Sequence, residues 1–366
     1  MDTTNRNQDL TTPGVMVPGN STHPDPSQIG STPPTPGSDN VSAGTTQKSL
    51  TPFQESMKRL RRDKRAMVSA FLLLFFVLIA IVGPPIYMHI GGTVTTPEGI
   101  KMSPAIYHSP FRNNLDYEDL APNGMFWLGT DAVGHDLLAR LMQSLLISLI
   151  AAVLVEIIDI SFGITVGVLA GFYGGWIDQI LARFTDIMFA FPSFLFLMLL
   201  AAIFGPWADT HLNNIPILGQ NGNARLLLIS LAVALTSWPA MARYVRGQTL
   251  QIKESQYIEA ARTSGTNDFK ILTRHIVPNL FSIVIVASTL NISNTIINEA
   301  GISMLGLGVK APGSSLGLMI SDSLGSIETP HSWEVLLPCI VLAIIVLAFS
   351  FLGDGLRDAF DPRSKD

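Results

Sequence analysis

Two acidic residues lie in the middle of a long apolar stretch, where burying a charged group is costly. Glu156 and Asp159 are three positions apart, so both side chains lie on one face of a helix. At membrane depth such carboxylates must face the interior of a helix bundle or water. Two interpretations stay open: a structural pair bonded to a neighbouring helix or subunit, and a candidate pore-lining face along a transport pathway.

A polar segment between two apolar blocks carries residues suited to binding another protein. Residues 251–279 read QIKESQYIEAARTSGTNDFKILTRHIVPN. The spacing of small and apolar side chains predicts one helix over residues 257–264 and a second over residues 269–275. Gly265 between them is expected to take the left-handed conformation that closes a helix, which makes the turn sharp.

Several residue types in this segment fit a docking surface. Glu259 offers a carboxylate to an arginine, and Ala260 and Ala261 allow a partner to approach closely. Pro278 suits the first turn of the next apolar helix. The pattern therefore predicts a helix–turn–helix element that docks on another protein, with an amphipathic loop that has no partner as the alternative.

Composition places the chain in the membrane. Its 366 residues are 48% hydrophobic and 14% charged, which is too apolar and too weakly charged for a soluble domain. The single cysteine, Cys339, excludes an internal disulfide and a cysteine-based metal cluster. Because the sequence contains no phosphate-binding loop, HExxH string or dinucleotide fingerprint, we expect a subunit that is not an enzyme and has no catalytic or metal site.

Apolar stretches predict six membrane spans, near residues 66–86, 145–170, 180–204, 226–244, 278–300 and 336–351. Residues 1–56 are rich in Pro, Gly, Ser, Thr and Asn and are expected to be a disordered tail. The remaining segments are predicted to be a basic anchor with the first span (57–90), an extracytoplasmic segment (91–143), a five-helix core (144–356) that contains a cytoplasmic loop (247–277), and a C-terminal tail (357–366).

Basic residues predict the orientation. The region from Arg243 to Arg274 contains six Lys and Arg residues, whereas residues 205–225 and 301–335 contain one each. Since positive charge accumulates on the cytoplasmic side, both termini and the polar loop are expected in the cytoplasm. The basic run at residues 57–65 is interpreted as a topology anchor beside a lipid bilayer and not as a nucleic-acid site.

The chain resembles the membrane subunits of binding-protein-dependent ABC importers, and within them the C-type subunit of the dipeptide and oligopeptide branch. Glu259-Ala260-Ala261, Gly265 and Ile276-Val277-Pro278 are similar to the EAA loop, which in that family is a helix seated on the ATPase subunit. Further similar stretches are Asp186 with Ala190-Phe191-Pro192, Trp238-Pro239 with Arg243 and Arg246, residues 301–308 and residues 352–363.

The resemblance implies an all-α membrane protein with the type I ABC importer permease fold, in a bacterial cell membrane. Half of the translocation pore would come from this chain and half from a homologous B-type permease subunit. An extracytoplasmic binding protein would deliver peptides, and two ATP-binding subunits would hold ATP and Mg, so that this chain itself binds no cofactor. The residues implied in ATPase coupling are Glu259, Ala260, Ala261, Gly265, Phe269, Ile276 and Pro278.

One further match is degraded. Residues 128–140 are similar to the LGTDxxGRDxxSR signature of the same branch, but His135 stands where arginine is usual. The residues that follow lose the glycine and arginine of the family pattern, so the roles of those positions are not carried over. From the residues alone, Asp131 or Asp136 is expected to cap the helix that leads into the second span.

Other functions remain as alternatives. The same branch includes permeases for nickel or other small ligands. A secondary transporter that carries protons on Glu156 and Asp159 would work without an ATPase. A purely structural membrane anchor would need neither the docking element nor the prolines inside the spans.

Overall fold

Helices form nearly all of the regular structure in the computed structural model, which describes residues 52–95, 99, 101–212 and 224–360. They are α1 (Pro52–Leu60), α2 (Lys64–Tyr87), α3 (Pro104–Tyr107), α4 (Leu137–Tyr173), α5 (Gly175–Ala190), α6 (Ser193–His211), α7 (Ala224–Lys253), α8 (Gln256–Thr263), α9 (Asp268–Ile271), α10 (Val277–Met304), α11 (Leu316–Asp322) and α12 (Trp333–Phe360). Two short strands, β1 (Val94–Thr95) and β2 (Lys101–Met102), pair antiparallel between α2 and α3. Short 3₁₀ helices cover Leu115–Tyr117 and Leu324–Ser326, and a π-helical turn covers Leu272–Ile276.

Six stretches are long and apolar enough to cross a membrane, which confirms the predicted number of spans. They are Lys64–Tyr87, Leu137–Tyr173, Ser193–His211, Ala224–Lys253, Asp268–Met304 and Trp333–Phe360. Residues 1–51, which form most of the predicted tail, lie outside the described residues. The last five residues assigned to that tail belong instead to α1, whose acidic first turn and basic last turn suit the helix dipole.

The third span differs from its prediction. The prediction of a single helix near residues 180–204, with Pro192 inside it, is wrong. The chain forms two helices there, α5 and α6, which are separated at Phe191 and Pro192. Phe191 is extended, with φ −88° and ψ 132°. The proline ring disfavours helical backbone at the preceding residue, so the helix stops there and α6 alone has the length of a span.

The helix α4 is much longer than the second span that was predicted. It begins at Leu137, because the Asp136 side chain accepts hydrogen bonds from the backbone N–H groups of Leu138 and Ala139 at 2.9 and 3.2 Å. This confirms the expected cap. At the other end the helix continues past residue 170, where the predicted span ends, and stops at Gly174, whose φ is +68°.

Six crossings place the connections alternately on two faces of the bundle. The segments 101–136 and 305–332 lie together on one side, which we call the loop face, and α8 and α9 lie on the other, which we call the coupling face.

On the loop face, the buried Arg140 guanidinium donates to Asp131 and to Asp322, both at 2.6 Å. The bond to Asp322 joins the start of α4 to a segment that is distant in sequence. The degraded signature is therefore a structural network in this chain.

Burial and charge act in opposite directions on Asp131. Burial raises the pKa of this carboxyl, but the hydrogen bond from His135 and the charges of His135 and Arg140 outweigh that effect and hold the pKa below its usual value. Because the folded pKa is depressed, the stabilisation is present at neutral pH and is lost as the pH falls below about 4, the value of an unfolded aspartate.

A stripe of glycines brings α4 and α7 into close contact. Gly163, Gly167 and Gly171 are four residues apart and face α7 along successive turns. A Cβ atom added at Gly167 would lie 2.6 Å from the carbonyl oxygen of Ala242, and one at Gly171 would lie 2.7 Å from Cβ of Thr249. Small residues at this spacing let two membrane helices pack at backbone distance.

Adding one methyl group should separate these helices. We expect Gly167→Ala to lower the free energy of unfolding by about 1–3 kcal/mol, because the new atom overlaps the α7 backbone. The matched control is Gly247→Ala on α7, where an added Cβ meets no atom within 4 Å. Denaturant titration of the purified chain in detergent measures both, and equal stabilities for the two variants would contradict the close contact.

Candidate coupling site

The polar segment forms the predicted helix–turn–helix, which we call the coupling element (residues 256–276). Gly265 adopts φ +75° and ends α8. Its N–H donates to the carbonyl of Arg262 at 2.9 Å, and the N–H of Thr266 donates to the carbonyl of Ala261 at 3.1 Å. This pair of bonds is a Schellman motif, which satisfies the last carbonyls of the helix and reverses the chain.

The second helix of the element starts at Asp268, one residue before the predicted position. The Asn267 side chain accepts a hydrogen bond from the N–H of Phe269 at 3.1 Å and caps α9. Beyond α9, the predicted helix continues as a π-helical turn to Ile276, where α10 begins. A π-helical turn contains one more residue than an α-helical turn. The side chains after it are therefore rotated about the helix axis relative to those before it.

Four apolar side chains anchor the coupling element to the membrane helices. Ile258, Ile271 and Ile276 are fully buried, and Leu272 is nearly so. They pack in one cluster with residues of α4, α7 and α10, namely Val168, Phe172, Met241, Val245, Leu280 and Val284. Because one cluster joins the element to three membrane helices, a displacement of the element must move those helices or break the cluster.

The predicted coupling residues fall into two groups. Glu259, Ala260, Gly265, Phe269 and Pro278 are exposed, and Phe269 keeps 72% of its surface accessible. An aromatic side chain this exposed next to a helix start is well placed to enter a pocket on a partner protein.

The other two predicted residues are less accessible. Ala261 is half-buried, and Ile276 is fully buried in the apolar cluster. Ile276 therefore has no surface to offer a partner in this structure. Its place is among the residues that hold the element on the bundle.

Two ion pairs fix α5 beside α7 near the coupling face. Arg246 donates two hydrogen bonds to the Asp178 carboxylate, at 2.5 and 2.7 Å, and Arg243 donates to Asp186 at 2.7 Å. The bond from Arg246 lowers the pKa of Asp178. The resemblance pointed to Asp186, Arg243 and Arg246. In the structure Arg243 pairs with Asp186 itself, and Arg246 pairs with Asp178 on the same helix, α5.

The acidic pair lies at a junction of three helices. Asp159 is fully buried and Glu156 is nearly so. The Asn291 side chain on α10 donates to both carboxylates, at 3.1 Å to Glu156 and 2.9 Å to Asp159. Ser237 on α7 donates to Asp159 at 2.8 Å. This geometry supports the pairing interpretation, because neither side chain opens onto a surface of this chain.

Another buried carboxylate, that of Glu299, lies nearer the loop face, and no partner for it was predicted. Glu299 on α10 accepts hydrogen bonds from Ser148 on α4 at 2.9 Å and from Ser303 at 2.7 Å. Serines are common in membrane helices, so nothing in the sequence marks Ser148 as the partner of Glu299. Their contact is evident only from the structure.

Comparison with known proteins agrees with this architecture. Residues 163–366 match the family described as binding-protein-dependent transport system inner membrane component. Residues 51–97 match the N-terminal TM domain of oligopeptide transport permease C.

Three relatives show how far the similarity extends. The dipeptide transport system permease protein DppC of Bacillus subtilis is 35% identical over 315 residues, covering 86% of this chain and 87% of the relative. The oligopeptide transport system permease protein OppC of Bacillus subtilis is 34% identical over 318 residues, covering 87% and 92%. The glutathione transport system permease protein GsiD of Pectobacterium atrosepticum is 35% identical over 320 residues, covering 86% and 92%. The chain therefore belongs to the family of inner membrane components of binding-protein-dependent transport systems.

Proposed function

We propose that this chain is the C-type permease subunit of an ATP-driven importer of dipeptides or oligopeptides. The observation that carries the proposal is the exposed coupling element, which is anchored through one apolar cluster to α4, α7 and α10. Relatives at 34–35% identity over most of both chains are named as dipeptide and oligopeptide permease proteins. The relative named for glutathione transport also fits a small peptide as the cargo.

The remaining subunits supply what this chain lacks. A homologous B-type permease subunit forms the other half of the pore, and an extracytoplasmic binding protein delivers the peptide. Two ATP-binding subunits hold ATP and Mg and hydrolyse the nucleotide, so this chain is not itself an enzyme. The complex lies in the bacterial cell membrane with both termini of this chain in the cytoplasm, an orientation supported by the basic residues between Arg243 and Arg274.

The geometry suggests how force passes through the chain. Closure of the two ATPase subunits pushes on the exposed surface around Glu259 and Phe269. Ile258 and Ile271 transmit the push to α7 and α10, because their side chains are enclosed by residues of those helices. The two helices then tilt as one body with α4 and exchange outward for inward access to the pore.

A transport assay tests the function and its main alternative. The chain is reconstituted in proteoliposomes with its B-type subunit, both ATPases and the binding protein, and uptake of a labelled dipeptide is measured with and without ATP. We expect uptake that needs ATP and that persists in the double variant Glu156→Gln with Asp159→Asn, because both carboxylates accept hydrogen bonds from Asn291 inside the bundle. Nickel uptake without peptide uptake would reject the substrate class.

A secondary transporter would give the opposite pattern in this assay. It would import its cargo in liposomes that contain this chain alone, driven by a proton gradient. It would also lose transport in the same double variant. Either result would reject the ATP-driven mechanism.

The turn of the coupling element offers a sharper test. We expect Gly265→Ala to cost roughly 1–2 kcal/mol, because the residue at φ +75° has a left-handed backbone that disfavours a Cβ atom. The added atom would meet nothing within 4 Å, so the cost is purely conformational. Changing the angle between α8 and α9 should reduce peptide uptake and copurification of the ATPase.

The matched control for this variant is Gly306→Ala on the loop face. Gly306 has φ +73° and equally open surroundings, so its backbone strain is the same. We expect similar loss of stability in the two variants but loss of ATPase binding only at Gly265. Equal ATPase binding in both would contradict the coupling role.

The hydrogen bonds of Asn291 to Glu156 and Asp159 lead to another prediction, on stability. Asn291→Leu removes the donor to two buried carboxylates, and we expect it to lower the free energy of unfolding by about 3 kcal/mol. Asn294→Leu, at an exposed position on the same helix, should change it little. Unfolding in detergent measures both, and a stable Asn291→Leu variant would show that the carboxylates do not need this partner.

A further inference from the structure

Three metal-ligating side chains from distant parts of the chain meet on the loop face. Asp119 follows the first 3₁₀ helix, whereas His331 and Glu334 lie at the start of α12. Their ligand atoms all lie within 4.8 Å of one another. His331 Nδ1 is 3.7 Å from an Asp119 carboxylate oxygen and 4.0 Å from Oε1 of Glu334. Both distances exceed the range of a hydrogen bond and leave a gap between the three groups.

The Glu334 carboxylate is buried with one oxygen unused. Its side chain is 1% exposed, and Oε1, the atom that faces His331, has no hydrogen-bond partner in the described residues. The other oxygen, Oε2, accepts a hydrogen bond from the Ser326 hydroxyl at 2.7 Å. Leaving a carboxylate oxygen buried and unpaired is costly, so this atom is expected to have a partner when the protein is in its working state.

The backbone holds the three residues in place. Asp119 has φ +49°, which is strained for a residue other than glycine, and its N–H donates to the carbonyl of Asp131 at 3.1 Å. The N–H of His331 donates to the Thr329 hydroxyl at 3.1 Å, and the N–H of Glu334 donates to the carbonyl of His331 at the same distance. These backbone bonds keep the three ligand groups next to one another.

We propose that Asp119, His331 and Glu334 bind one divalent transition-metal ion that fastens the segment before α4 to the start of α12. One imidazole and two carboxylates suit Zn²⁺ or a similar first-row ion better than Mg²⁺ or Ca²⁺, which prefer all-oxygen sites. Ligand atoms about 2.1 Å from such an ion lie about 3.4 Å apart in a tetrahedral site. The two distances from His331, 3.7 and 4.0 Å, would therefore shorten when an ion binds. Water completes the coordination, since Asp119 and His331 are partly exposed.

The ion would reinforce a contact that already exists nearby. The backbone of Asp119 is bonded to Asp131, which in turn binds Arg140 at the start of α4. The metal adds α12 to this network on the loop face. The Ser326 hydroxyl donates to Glu334 and orients its carboxylate, as groups bonded to a metal ligand commonly do. The site does not depend on which solute the permease carries.

Zinc binding by the full-length chain tests the proposal. The protein is purified in detergent with its affinity tag removed, stripped with a chelator and titrated with Zn²⁺ against a chromogenic competitor. We expect one equivalent per chain and a rise in Tm on the order of 5 °C at saturating zinc. His331→Ala and Glu334→Gln should weaken binding by more than tenfold, and Ser326→Ala by about tenfold.

Matched controls separate this site from chance binding. His211→Ala and Glu254→Gln remove an exposed histidine and an exposed carboxylate outside the cluster and should leave the affinity unchanged. Asp119→Asn changes a partly exposed side chain, so it provides a ligand variant that should fold even if Glu334→Gln does not. Asp119→Asn should weaken zinc binding by more than tenfold.

Two results would overturn the proposal. One is zinc affinity that is equal in His331→Ala and His211→Ala. The other is a wild-type chain that takes up less than one equivalent of zinc and whose Tm does not rise at saturating zinc.

Discussion

The close contact between α4 and α7 is the constraint on which the rest of the structure depends. The glycines at positions 163, 167 and 171 remove the side chains that would otherwise keep the two backbones apart. Without a hydrophobic force between helices in lipid, such packing must come from van der Waals contact over a smooth surface. Once α4 and α7 are held together, Asp159 on one reaches Ser237 on the other, and the apolar pocket that receives the coupling element is complete.

That arrangement divides the chain into parts with different tasks. The coupling face presents an exposed element whose anchoring residues are apolar, so it can transmit force through packing. The loop face is held by charged and polar bonds, among them those of Arg140 with Asp131 and Asp322. Directional bonds there fix the relative positions of distant segments, which is useful where another protein must recognise a defined surface.

Local signals in the sequence were enough to predict the coupling element. Gly265, Asn267 and Asp136 each end or start a helix by bonds to residues within a few positions, so their roles can be deduced from spacing. The six spans follow from composition in the same way. The break at Phe191 was missed because apolar residues on both sides of Pro192 looked like one span. The three glycines of the stripe are four residues apart in the sequence. This spacing is a signal for close helix packing, and the contact of α4 with α7 could have been predicted from it.

Contacts between residues that are distant in the chain could not be predicted from the sequence. These contacts determine how the helices of the core can move. On α10 the polar residues at positions 291, 295, 299 and 303 are four apart and therefore form one stripe. Asn291 binds the acidic pair on α4, and Glu299 binds Ser148 on the same helix. Sliding α10 along α4 would break the bonds from Asn291 to the acidic pair and from Ser148 to Glu299, and each lost bond to a buried carboxylate is costly. Hydrogen bonds at two heights thus fix the register, and α4, α7 and α10 must change their tilt together as one rigid unit when the coupling element moves.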